Sequence, residues 1–106
     1  MEENPMTEIA MEIISAAGDA LMEAKNAMDC MVQGEFDEAQ KLLASAEDFT
    51  AKAHNAQTEI IQKALAGEHM EYNLLFSHAQ DTLMVTEGEL RIYQVLLNMK
   101  KEEHKQ

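Results

Sequence analysis

The sequence predicts an all-α protein, an antiparallel up-down-up three-helix bundle formed by a single domain over residues 1–106. Three observations carry that expectation. The chain is rich in Ala, Met, Leu, Glu and Gln, with one Pro, four Gly and no Trp, and such residues lose little side-chain freedom in a helix. Apolar residues recur at three-four spacing through three long segments. Glycines fall between the segments, where helix C-caps belong.

The first helix starts at Asn4-Pro5, with Asn as N-cap and Pro in the first turn, where its missing N–H costs nothing. Ala10, Ala17, Ala24 and Met31 recur every seven residues, with Ile13, Ala20 and Ala27 between them. Ile14, Leu21 and Met28 widen the stripe, and its small members invite a close neighbour. Gly34 ends the run. The second helix spans about Glu35 to Ala66 on the stripe Phe36, Ala39, Leu43, Ala46, Ala53, Ile60 and Ala64, with Thr50 and Gln57 as polar members. Gly67 is the second stop. The third helix begins near Tyr72-Asn73, runs past Leu97 and is expected to fray into the charged tail KKEEHKQ. Short Gly-containing connections favour antiparallel neighbours.

The third helix carries two apolar stripes. Phe76, Ala79, Leu83, Leu90, Tyr93 and Leu97 form one; Leu75, Val85, Ile92, Leu96 and Met99 form another around the axis. A helix apolar on two sides needs partners on two sides. One stripe faces the bundle, and the other calls for a second copy of the chain. A chain this short also buries a modest share of its surface alone.

The net charge of -12, from 20 acidic and 8 basic residues, repels phosphate backbones and anionic lipid. Nucleic acid and membrane surfaces are therefore poor partners, and a basic protein is a better one. Cys30 is the only cysteine, which excludes an intramolecular disulfide and agrees with a reducing compartment. The acidic start MEENPMTE is no signal peptide, and no apolar run approaches the roughly 20 residues of a spanning helix. These features read as a cytoplasmic protein without membrane insertion.

His78 and Asp81, in the stretch SHAQDTLM, are three residues apart among apolar neighbours. Three readings stay open for this histidine. It is a core side chain satisfied by its neighbours; or a metal ligand, although His78-x-x-Asp81 supplies at most two donors and a closed site would draw on several chains; or a nucleophile, since a neutral imidazole can accept a phosphoryl group. Cys30 reads as a small packed side chain, His69 and His104 as surface histidines, and the nine Met as gap fillers in helical cores.

The same stretch resembles the enzyme IIA subunit of the lactose/cellobiose class of the bacterial phosphoenolpyruvate-dependent sugar phosphotransferase system. That family's hallmark is His-Ala-Gln-Asp-His-Leu-Met in the third helix, and six of its seven residues stand here from His78 to Met84. AHNAQTEII matches at Ala53, His54, Gln57 and Thr58; IISAAGDA and GEFDEA match near the start and at the first turn. The matches keep order and spacing over nearly the whole chain.

The resemblance implies a homotrimer in which His78 is the phosphoryl carrier, receiving the group from phospho-HPr and handing it to a cysteine of the cognate enzyme IIB during import of a β-linked disaccharide. It implies that Asp81 of each protomer converges on a three-fold axis around one divalent cation, usually magnesium. Gln80 and Gln57 are candidate orienters of the imidazole or donors to the phosphoryl group. Two departures stand out. Thr82 replaces the histidine of the family's stretch, and Leu21-Met22 stand where many members carry a basic residue and a serine. The competing expectation is a regulatory or scaffold trimer that has lost phosphotransfer and binds a protein partner.

Overall fold

The computed structural model describes residues 5–105, so the expected Asn4 cap lies outside the described residues. Three helices follow in order: α1 (Pro5–Val32), α2 (Phe36–Leu65) and α3 (Leu74–Lys105). The C-terminal end of each of the first two is closed by backbone geometry that glycine permits. At the end of α1 the Gly34 N–H bonds the Met31 carbonyl and the Glu35 N–H bonds the Cys30 carbonyl, with Gly34 at φ 81°. At the end of α2 the Gly67 and Glu68 N–H groups bond the Ala64 and Lys63 carbonyls, with Gly67 at φ 93°. Both are Schellman closures. The left-handed conformation would strain any side chain there.

The helices pack lengthwise into a body of 59 × 26 × 17 Å. α1 presents an almost pure alanine stripe. Ala10, Ala17, Ala20, Ala24 and Ala27 are all buried, which places α1 near the short end of the roughly 8–10 Å range of helix spacings.

The core falls into two clusters. One gathers Ile13, Ala53, Ile60, Phe76, Ala79 and Leu83; the other gathers Ala24, Leu43, Ala46, Leu90 and Leu97 with the half-buried Phe36, Phe49 and Tyr93 around it. Between them lies a waist of Ala17, Thr50 and Thr86, all buried. The two threonine hydroxyls donate to carbonyls of their own helices, Thr50 to Glu47 at 3.0 Å and Thr86 to Thr82 at 2.8 Å. Satisfied in this way, they enter an apolar core without an orphan hydroxyl.

Three expectations shift. α3 does not fray at its charged tail but stays helical to Lys105. Lys100 pairs with Glu103 and Lys105 with Glu102, each at 3.3 Å, and the His104 ring meets Phe36 edge-on at 5.4 Å. His104 is exposed, as expected of a surface histidine, and its ring also packs on Phe36. Ala64 is exposed, because the last turn of α2 runs past the core. The second apolar stripe of α3 is exposed as expected at Val85, Ile92, Leu96 and Met99 and differs at its start. Leu75 packs half-buried on the core, and the exposed row is Leu74, Val85, Ile92, Val95 and Met99, at 54–72% exposure, with Leu96 on its flank.

That row lies on the side of α3 away from the core. The chain exposes 7147 Å², whereas a compact monomer of 11.9 kDa would expose about 5,900 Å². The elongated shape of the body, 59 Å in its longest dimension, accounts for surplus surface of this kind. Among the described residues no helix is long and apolar enough to cross a membrane.

Candidate functional site

α3 is anchored at its start. Asn73, the residue before it, accepts the Phe76 N–H on its Oδ1 at 2.8 Å and donates from Nδ2 to the Thr7 hydroxyl of α1 at 3.1 Å. The first bond is a helix N-cap, a feature that contributes about 1 kcal/mol; the second pins the cap to a neighbouring helix. His78 follows one turn later, so the anchored end of α3 is the end that carries the candidate nucleophile.

His78 is exposed, which removes the core-histidine reading. Its carbonyl accepts the Thr82 hydroxyl at 2.9 Å, and the Thr82 carbonyl in turn accepts Thr86. Among the described residues the imidazole ring has no hydrogen-bond or ion-pair partner. Asp81 is also exposed and has no such partner among them, and it lies on the same side of α3 as His78. The two belong to a longer pattern. Leu74, His78, Asp81, Val85, Gly88, Ile92, Val95 and Met99 alternate by four and three residues, the a/d repeat of a coiled-coil seam.

The two glutamines are placed differently. Gln80 is half-buried and lies two residues from His78, a separation that puts side chains on opposite flanks of a helix. Gln80 of one protomer therefore does not face the His78 ring of that protomer. Gln57 is half-buried on α2, and its Oε1 is buried without a hydrogen-bond partner. A buried acceptor left unpaired costs about 1–3 kcal/mol, so this oxygen is a standing demand for a donor. No hydrogen bond joins Gln57, Gln80, Asp81 and His78 to one another within the protomer. Among the described residues no three His, Cys, Asp or Glu side chains gather to hold a metal. Asp81 could bind a cation only together with ligands from outside its own chain.

Among the described residues the remaining titratable groups do not gather into a second cluster of three or more possible metal ligands. His54 approaches Glu87 across α2 and α3, Nδ1 to Oε1 at 3.8 Å, and His69 is exposed. Partial burial pushes the Cys30 thiol up from its ordinary value, helped by the Glu35, Glu38 and Asp29 carboxylates. It is a packed, protonated thiol rather than a reactive one. Burial and the Glu89 carboxylate push the Tyr93 hydroxyl up as well. At the far end of the bundle Gln40 and Gln94 exchange amide hydrogen bonds at 3.1 and 2.9 Å, and Lys101 donates to Gln40 at 3.3 Å. This clamp sets the register of α2 against α3.

The sequence reading missed the Thr82–His78 bond, the Asn73–Thr7 bond and the orphan Gln57 oxygen. The i, i+4 spacing of His78, Thr82 and Thr86 was a signal for the first. Nothing local announces the other two, which depend on how the helices meet.

Comparison with known proteins places this geometry among relatives. The family described as "PTS system, Lactose/Cellobiose specific IIA subunit" matches residues 8–101. The chain is 36% identical over 86 residues to a "PTS system lactose-specific EIIA component" of Streptococcus mutans, covering 81% of this chain and 83% of that one. It is 40% identical over 79 residues to a "Lichenan-specific phosphotransferase enzyme IIA component" of Bacillus subtilis, covering 74% and 72%. Among solved structures, the cellobiose-specific enzyme IIA of Bacillus anthracis superposes with a TM-score of 0.88 at 28% identity, over 99% of this chain and 96% of that one. PtcA from S. mutans superposes at 0.89 with 31% identity, over 95% and 99%.

Proposed function

The chain belongs to the lactose/cellobiose-specific IIA family of the sugar phosphotransferase system, and on that premise we propose that it is a phosphocarrier working through His78. In this reading phospho-HPr is the donor, a cysteine of the cognate enzyme IIB is the acceptor, and the sugar imported and phosphorylated is a β-linked disaccharide. The observation that carries the reading is the exposed, unpartnered imidazole of His78 on an anchored helix.

A lone pair on one ring nitrogen forms the bond to phosphorus as the donor's bond to phosphorus breaks in line. The thiolate of enzyme IIB later attacks the same phosphorus, and the imidazole leaves. Such transfers ask mainly for positioning and for stabilisation of the equatorial oxygens. The Thr82 hydroxyl holds the His78 backbone, so Thr82 keeps a positioning role although it replaces the family's histidine.

The working unit is a homotrimer. The heptad row on α3 supplies the seam, and its β-branched residues at both a and d positions, Val85, Ile92 and Val95, favour three strands over two. In a three-fold assembly the Asp81 carboxylates meet at the axis, and Gln80, turned away from its own His78, becomes available to a neighbour. Oxygen donors at an axis suit magnesium; three Asp81 carboxylates would hold it, and the cation would neutralise their mutual repulsion.

Incubation with phosphoenolpyruvate, enzyme I and HPr tests the reading. The expected result is one acid-labile phosphate per chain. A chain that stays unlabelled while a family control is labelled would establish the scaffold reading instead.

A further inference from the structure

Gly88, itself half-buried, stands in the middle of the heptad row on α3, one heptad beyond Asp81, and the described residues of its own protomer give no reason for a glycine there. Its backbone φ is not positive, unlike that of Gly34 and Gly67. A Cβ added to it would meet nothing within 4 Å. Glycine is nevertheless among the least favourable residues inside a helix. A cost with no local return points to a neighbour outside the chain.

From this we infer that Gly88 is the point of closest approach between α3 helices of adjacent protomers. The occupant of the exposed row is a second copy of this chain. The heptad spacing continues through His78, Asp81, Val85, Gly88 and Ile92, the signature of helices that pair along a seam, and the apolar members of the row are 54–72% exposed in the single protomer. With no side chain at Gly88, the seam closes until Val85 and Ile92 pack on either side of it. That closure brings the Asp81 carboxylates, one heptad away, within reach of one axis. The inference rests on the proposed assembly and adds the residue on which its closeness depends.

Gly18 provides the control. It is exposed in the middle of α1, has no positive φ and also leaves open space for a Cβ, but it lies off the α3 row. Gly18→Ala is expected to raise the thermal midpoint and leave the oligomeric mass unchanged. Gly88→Ala is expected to weaken trimer association by about tenfold or more, because a methyl group forced into a closed seam must push the helices apart. Sedimentation or light scattering across a dilution series reads both.

A wild-type trimer whose Gly88→Ala variant associates as tightly as Gly18→Ala overturns the inference and leaves the trimer standing. A wild-type protein that is monomeric or dimeric at every concentration overturns the assembly itself. Helix content lost by Gly88→Ala at high dilution, where chains are separate, would place the need for glycine inside the protomer and overturn the inference equally.

Discussion

Replacement of His78 by alanine is expected to reduce phosphate uptake from phospho-HPr to background, while helix content and oligomeric mass stay at wild-type values. The chemical half of this expectation follows from the loss of the only nitrogen nucleophile in the stretch from Ser77 to Met84. The structural half follows from exposure. Among the described residues the ring makes no hydrogen bond or ion pair, and the bond that Thr82 makes is to the His78 carbonyl, which alanine retains. Alanine is also the better helix former, by up to about 0.7 kcal/mol. Phosphopeptide mapping of the wild-type protein completes the measurement. A label on His54, His69 or His104 would show the assignment to be wrong, and residual label in His78→Ala would have to be located on one of these three.

The second large effect concerns Asp81. Brought to a common axis, three carboxylates repel strongly; one like-charge contact at ~4 Å and an effective dielectric of ~20 is already worth ~4 kcal/mol. Chelator is therefore expected to lower the melting temperature of the trimer by several degrees, and added magnesium to restore it. Asp81→Leu removes the repulsion and the cation together and continues the apolar seam between Leu74 and Val85. This variant is expected to remain trimeric and to melt at one temperature whether chelator or magnesium is present. Wild-type melting indifferent to both reagents would remove the cation from the account without touching His78.

How much of this was legible in the sequence depends on whether a feature is local. Gly34 and Gly67 mark helix ends because the left-handed cap is a property of a few consecutive residues, and both stops fall where the composition put them. The alanine stripe of α1 was equally legible, since a helix with one apolar face has one orientation. α3 was harder because it has two apolar faces. Periodicity then leaves residues at the border between the faces undecided, which is why Leu75, expected on the outer stripe, packs on the core and Val95, assigned to neither stripe, is exposed. Packing against α1 and α2 decides it. Thr86 entered the core unannounced because its hydroxyl is satisfied by its own helix, which hides its polarity. For the site, residue type and spacing singled out His78 and Asp81, but only the folded chain shows that both are exposed; that Gln80 is turned from His78 follows already from two-residue spacing on a helix.

The threonine waist has a consequence for the way the molecule opens. Thr50 and Thr86 interrupt the core with groups whose hydrogen bonds are internal to one helix, so little couples the cluster around Leu83 to the cluster around Leu90. Each half is then a separate cooperative unit, joined by helix continuity rather than by shared packing. In dilute protomer, amide hydrogens near Leu83 and near Leu97 should exchange at different rates and respond independently to denaturant. The half near Leu83 is held by the Asn73 cap and the other by the Gln40–Gln94 clamp. Assembly along α3 would splice the two units, because the exposed row runs the length of both. Protection that rises to one common level on trimer formation is the expected signature, and a single level already present in the dilute protomer would show that the waist does not divide the fold.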